Sequence, residues 1–325
     1  MSYDVVCLRP EADFERVGAL PPPTFAITYR APDDAELPSL MKQARAVVIP
    51  AVGPKLPASL FENSAIKLVQ VTGAGVDRLD EAALKKLGIA VANAPGGSNS
   101  AVAEYAVACA SILLRRLDWA SAELHAGHYE QYRKRMLAEN LAGIDGLLVG
   151  VVGFGVIGLA VARAFHAMGA RLCYFDPAPR EPQAAATMGA RSVTLDELLT
   201  TCDVVTLHVP LLPATKGLLG DRQLAAMKRG AILINAARGG IVDETALAAH
   251  LASGRLGGAA VDVYSTEPPS ADNPLFKLQG DAARRALLTP HIAGVTRQSF
   301  ANLFRATWQN VERALRGEAP FNRVY

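Results

Sequence analysis

Three residues in the second half of this 325-residue chain carry charge or a titratable proton where an apolar run gives out into a loop. They are Arg238 in INAARGG, Glu267 in DVYSTEPP and His291 in LTPHIAG. If the apolar runs are parallel strands, these places are strand C-terminal ends, where open α/β sheets bind their ligands. Taken singly, each has an ordinary explanation: a surface cation, a solvated loop acid, a capping or packed histidine. Taken together they form the set needed to reduce a 2-oxo acid. A guanidinium grips the carboxylate with two parallel hydrogen bonds and polarises the ketone. An imidazolium protonates the developing alkoxide, and the acid keeps that imidazole charged.

Such a reduction needs a hydride, and residues 147–176 have the parts of a dinucleotide site in order. Residues 147–152 are a short apolar run that reads as a buried parallel strand. The turn after it, Gly153-Phe154-Gly155-Val156-Ile157-Gly158, is a G-x-G-x-x-G whose glycines permit tight geometry, close approach of a pyrophosphate and packing of the next helix. That helix, predicted over 156–168 and ended by Gly169, offers unpaired N–H groups and a positive dipole end to phosphate. A second strand over 171–175 closes on Asp176, placed to accept hydrogen bonds from an adenosine ribose. The turn alone is a weak signal; strand, helix, strand and acid in register carry the reading. A carboxylate repels a 2′-phosphate, so NAD is favoured over NADP, with Arg180 close enough to keep NADP as a minor option.

Around this centre the chain alternates short β-rich runs with helical stretches, the pattern of a parallel sheet covered on both faces. Strands are expected at 4–8, 25–29, 46–49, 68–71 and 89–91, with helical composition at 36–43, 58–63 and 78–87. A Gly, Asn and Ser-rich loop at 93–100 then leads into a long apolar helix over 101–117, which marks a domain boundary. Further strands are expected at 203–208, 231–235, 258–263 and 287–289. A final amphipathic helix over 296–316 has its natural place back against the first domain. The layout is two α/β domains, residues 1–99 with 291–325 and residues 100–290, one of them discontinuous. Residues 127–146 read either as an arm or subunit contact, or as a solvated helix and loop.

Composition bounds the function. Half the residues are hydrophobic and the formal net charge is +2, so nothing advertises a nucleic-acid surface. Four scattered cysteines without metal or redox spacing read as reduced thiols in a cytoplasmic protein. The N-terminus has no basic segment and apolar core of a secretory signal. The most apolar tract, 146–162, is interrupted by glycines, so no membrane span is expected. His125 and His128 have i, i+3 spacing but Gly127 between them and no third ligand nearby, so no metal site is assigned. Tyr129, Tyr132, Arg133, Lys134 and Arg135 read best as a solvated helix face.

Several blocks in order resemble one family, the D-isomer-specific 2-hydroxyacid dehydrogenases. They are VTGAGVD at 71–77, SNSAVAEYAV at 98–107, VVGFGVIG at 151–158, HVPLLPAT at 208–215, MKRGAILINAARGGIVDE at 227–244, and the loops with Glu267 and His291. The resemblance implies a Rossmann NAD-binding domain and a flavodoxin-like substrate domain, with Arg238, Glu267 and His291 as the catalytic arginine, glutamate and histidine. It implies that the amides of Gly73, Ala74 and Gly75 bind the substrate carboxylate and that Asp262 holds the nicotinamide carboxamide. His208, Val209 and Pro210 would line the cofactor, as would Ala236, Ala237, Arg238 and His291. A homodimer, and a cleft hinged near Asn99 and Pro290, are implied in the same way. Glu267 stands where formate dehydrogenases of the superfamily carry glutamine, and Thr72 lies where phosphite dehydrogenases place a lysine, which argues against both substrates. The chain as given stops at Tyr325, before the regulatory extension of some phosphoglycerate dehydrogenases. Related transcriptional corepressors keep the same fold and catalytic positions, so a dinucleotide-sensing interaction protein is the rival reading. The sequence does not name the 2-oxo acid; glyoxylate or hydroxypyruvate is what the resemblance suggests.

Overall fold

The computed structural model describes residues 4–178 and 182–325 and divides into two compact units, residues 1–98 with 295–325 and residues 99–294. The smaller unit has five strands: β1 (Val5–Cys7), β2 (Ile27–Tyr29), β3 (Ala46–Ile49), β4 (Leu68–Val71) and β5 (Ala90–Ala92). All pair in parallel, in the order β2-β1-β3-β4-β5, the doubly wound arrangement seen in flavodoxin-like sheets. The helix Arg297–Leu315 covers one face; its N-cap Thr296 accepts the N–H of Ser299 through Oγ1 at 3.1 Å. Leu303, Phe304, Trp308 and Val311 pack from this helix onto Val5, Cys7, Val48 and Leu68. Burial of each of the large ones stabilises by about 2 kcal/mol. The contact is also specific: Trp308 Nε1 donates to Ala19 O at 3.0 Å and Asn310 Nδ2 to Gln70 Oε1 at 2.8 Å. The helix expected over 58–63 shrinks to one 3-10 turn, Ala58–Leu60, between Pro57 and a left-handed Asn63 (φ 53°).

The larger unit has seven parallel strands: β6 (Leu148–Val152), β7 (Arg171–Phe175), β8 (Arg191–Ser192), β9 (Val204–Leu207), β10 (Ile232–Asn235), β11 (Gly258–Val261) and β12 (Ala286–Leu288). Their order is β12-β11-β10-β9-β6-β7-β8. The chain builds one way from β6 through β7 to β8, then restarts at β9 on the other side of β6. The crevice between the ends of β6 and β9 is therefore the switch point where ligands of such sheets sit. Both faces are buried, because successive residues alternate between two cores: Ile232 and Ile234 in one, Leu233 in the other.

Three local features sharpen or correct the sequence reading. The long helix is Asn99–Arg115, stopped by a left-handed Arg116 (φ 51°) before a separate helix, Leu117–His125. The stretch read as an arm or subunit contact, or as a solvated helix and loop, has the helix of the second alternative: eleven residues, Tyr129–Glu139, set off by Gly127 (φ 79°) and closed by left-handed Asn140. Cys173 and Cys202, far apart in sequence, bring their Sγ atoms to 3.2 Å. Gly150 makes room for this: a Cβ there would lie 2.7 Å from Cys202 Sγ. Among the described residues no helix is long and apolar enough to cross a membrane, and no cluster of three or more His, Cys, Asp or Glu could hold a metal ion.

Candidate functional site

The turn after β6 is built for close approach. Gly153 has φ 90°, and a Cβ on it would sit 2.5 Å from the carbonyl oxygen of His208, so the ends of β6 and β9 touch there. A Cβ on Gly158 would lie 1.9 Å from Gly153 O, which only glycine avoids; at Gly155 the same construction meets open space. Gly155 is the N-cap of the helix Val156–Ala167. A dinucleotide phosphate fits this arrangement: a backbone clear of side chains on the ligand side and a helix N-terminus beneath it. At the end of β7, Asp176 accepts the N–H of Phe154 through Oδ2 at 2.7 Å and that of Ala178 through Oδ1 at 2.9 Å. The acid expected to meet the ribose is thus fixed directly against the glycine turn. Phe154 stacks on Tyr174, with ring centroids 4.0 Å apart. Arg180 lies outside the described residues.

The loop after β9 carries His208, Val209 and Pro210. The backbone N–H of His208 donates to Val152 O at 2.7 Å, and its Nε2 lies 2.8 Å from Thr206 Oγ1. Burial pushes its pKa down to about 3, so the ring is neutral at ordinary pH. After β10, Asn235 shapes the next loop: Oδ1 accepts the N–H of Ala237 and Nδ2 donates to Arg238 O, both at 3.2 Å. Ala236 and Ala237 line this turn, and Arg238 donates from a terminal guanidinium nitrogen to Ala237 O at 2.6 Å. Gly239 lets the loop lie on the next one, since a Cβ there would be 1.8 Å from Tyr264 O.

Glu267 and His291 meet. Oε2 of Glu267 is 2.8 Å from Nδ1 of His291, and Oε1 accepts the N–H of Tyr264 at 3.0 Å. Burial works against ionisation of Glu267. The hydrogen bonds from His291 and Tyr264, with the charges of His291 and Arg238, outweigh it and hold the carboxyl below its ordinary range. His291 has a left-handed backbone (φ 56°), uncommon for a non-glycine residue. It is held there by Asp262, the first residue after β11. The N–H of His291 donates to Asp262 O, that of Ile292 to Oδ1 and that of Ala293 to Oδ2, each at 2.8 Å. Thr289 adds its hydroxyl to Oδ1 at 2.6 Å, and Tyr105 lies 2.7 Å from that hydroxyl. Asp262 is buried, so its charge is met by these donors rather than by water.

In the smaller unit, Gly73, Ala74 and Gly75 follow β4. A Cβ on Gly73 would be 2.7 Å from that of Ala51. Gly73 O accepts from Ala94 N at 2.9 Å and Ala74 O from Asn93 Nδ2 at 2.7 Å, so the loop's carbonyls are tied down.

The larger unit therefore brings Arg238, Glu267 and His291 to the ends of adjacent strands. Sequence reasoning passed over Asn235, Tyr264, Thr289 and Tyr105, which hold the loops of these three, and Thr206, which meets His208. The signal available was a polar residue inside or closing an apolar run, such as Asn235 in ILIN and Thr206 in VVTL; both are buried.

Residues 107–293 match the NAD binding domain of the D-isomer specific 2-hydroxyacid dehydrogenases. The chain is 38% identical over 259 residues to a D-3-phosphoglycerate dehydrogenase of Archaeoglobus fulgidus, covering 80% of this chain and 47% of that protein. It is 38% identical over 250 residues to an (S)-sulfolactate dehydrogenase of Chromohalobacter salexigens, covering 77% and 78%. Against several phosphoglycerate enzymes it spans about half of their length. Among solved structures, a D-lactate dehydrogenase of Treponema pallidum superposes with TM-score 0.79 at 28% identity over 99% of both chains. The holo form of a Rhodotorula graminis D-mandelate dehydrogenase gives 0.83 at 26%, over 99% of this chain and 97% of that one. With a matching domain across more than half its length and relatives of this identity, the chain belongs to the D-isomer specific 2-hydroxyacid dehydrogenase family.

Proposed function

We propose that the chain is an NAD-dependent oxidoreductase that interconverts a small 2-oxo acid and its D-2-hydroxy acid. The observation that carries this is the 2.8 Å contact between Glu267 and Nδ1 of His291 in a loop packed against that of Arg238. A bound nicotinamide supplies the hydride. The chain supplies the rest: with Nδ1 engaged by the carboxylate, Nε2 is the nitrogen that gives the proton to the nascent alkoxide, and Arg238 anchors the carboxylate and polarises the carbonyl. In the oxidative direction the neutral ring takes the proton back.

The residues around the glycine turn are read as the cofactor site, with Asp176 on the ribose, His208, Val209 and Pro210 along the ring, and Asp262 toward the carboxamide. The larger unit is then the cofactor domain and the smaller one the substrate domain, in which Gly73, Ala74 and Gly75 offer N–H groups to the substrate carboxylate. The homodimer reading is supported by a groove between helices Leu117–His125 and Tyr129–Glu139, with Leu117, Leu124, Tyr129 and Leu137 exposed along it. Leu137→Arg should yield a monomer by light scattering if a second copy covers it. Four free, buried cysteines support a reducing, cytoplasmic setting.

The deciding experiment is NADH and NADPH oxidation with glyoxylate, hydroxypyruvate, pyruvate and longer 2-oxo acids. Turnover with NADH and at least one of them is expected, while silence across the panel would turn the reading toward a dinucleotide sensor. His291→Ala should lower kcat by about 100-fold or more, and Arg238→Ala should raise KM as well as slow turnover.

A further inference from the structure

The sequence block around Arg238 runs on to Glu244, whose carboxylate has no part in the chemistry above and yet is engaged on both oxygens by a single loop. Glu244 begins the helix Glu244–Ala252, and the cap of that helix is the preceding residue: Asp243 Oδ1 accepts the N–H groups of Thr245 and Ala246. The Glu244 side chain serves elsewhere. Its Oε1 accepts the N–H of Ser265 at 2.6 Å and the Ser265 hydroxyl at 2.5 Å, and its Oε2 accepts from Nδ2 of Asn273 at 2.5 Å. Ser265 and Asn273 bracket Glu267. Asn273 is itself fixed, because its Oδ1 accepts the N–H of Leu275 at the start of the turn Pro274–Lys277.

We propose that Glu244 is a positioning residue for Glu267: one carboxylate clasps both ends of the loop 265–273 and so sets the acid against His291. The inference rests on the roles proposed above for Glu267 and His291. The hydrogen bonds that orient the Glu267 carboxylate come from the Tyr264 N–H and the His291 ring. Without the clasp, the three hydrogen bonds to a charged acceptor are lost together and the span between Ser265 and Asn273 is free to move. A displacement of about 1 Å at the reacting groups costs on the order of 100-fold in rate.

The test is a double-mutant cycle on the full chain, with steady-state reduction of the best 2-oxo acid and NADH binding by fluorescence. Glu244→Ala should lower kcat by between about tenfold and a hundredfold while the dissociation constant for NADH stays within about twofold. In a Glu267→Gln background the same change should cost less than about twofold, because the acid that it positions is already gone. Glu244→Gln, which keeps an acceptor oxygen for Ser265, should recover part of the loss. Should Glu244→Ala fail to fold, Ser265→Ala and Asn273→Ala remove the clasp one bond at a time and enter the same cycle. Wild-type kcat in Glu244→Ala, or an equal loss in both backgrounds, overturns the inference. Wild-type kcat in Glu267→Gln alone overturns instead the reading on which it rests.

Discussion

Glu267 Oε2 stands 2.8 Å from Nδ1 of His291, and the same carboxylate takes the Tyr264 N–H on its other oxygen. Both acceptor atoms are thus in use before any substrate arrives. The carboxyl is depressed below its ordinary range against the opposing pull of burial.

A depressed carboxyl stabilises the fold above its ordinary pKa of 4.5 and ceases to do so as pH falls through the lower, folded value. The thermal midpoint of the wild type should therefore exceed that of Glu267→Gln just above pH 4.5, and the gap should close in more acid buffer. Midpoints recorded across that range check this. A gap that widens toward acid would count against the pairing.

Asp262 gathers three consecutive N–H groups, from His291 through Ala293, on one buried residue. Asp262→Asn turns one acceptor oxygen into a donor facing a donor. The cost should be about 2 kcal/mol, seen as a lower thermal midpoint together with faster hydrogen exchange at residues 291–293. A midpoint within experimental scatter of the wild type would show that the backbone there holds itself.

Gly158→Ala places a methyl 1.9 Å from Gly153 O, so helix and turn must separate. Overpacking of this kind costs about 1–3 kcal/mol. Because the displaced atoms belong to the turn proposed to carry the pyrophosphate, NADH should bind at least about tenfold more weakly by titration, a change of about 1.4 kcal/mol. Unchanged binding would move the phosphate site elsewhere.

His208 is neutral in the fold down to about pH 3, whereas an unfolded chain protonates it near 6.5. Between those values the unfolded state binds the extra proton, so the protein loses stability as pH falls from 6.5 toward 3. His208→Gln should flatten that slope in denaturation midpoints. An identical slope would mean that the ring is reached by water and charges in place.

The parts legible in the sequence are those where one signal dominates. β3, β4 and β7 fall at the limits that their apolar runs set, and Asp176 and Glu267 lie on the loops expected; the strand expected over 258–263 stops at Val261, which leaves Asp262 at the head of the loop. What escaped depends on contacts that no local pattern encodes. β8 is two exposed residues held by pairing with β7. The break at Arg116 interrupts a continuous helical composition; its backbone carbonyl accepts from the Tyr132 hydroxyl and its guanidinium lies over Trp119. The clasp of Glu244 joins residues 21 and 29 positions apart, a relation visible only once the loops are folded.

Arg238, Glu267 and His291 hang from β10, β11 and β12, three rungs that neighbour one another in the sheet. Lateral spacing among them is thereby graduated by main-chain pairing, about 4.8 Å a rung, whatever side chains the rungs bear. Swapping apolar residues within a rung leaves that ruler intact. Deleting one residue from β11 would slide its pleat by half a repeat and turn the whole loop beyond it toward the opposite face.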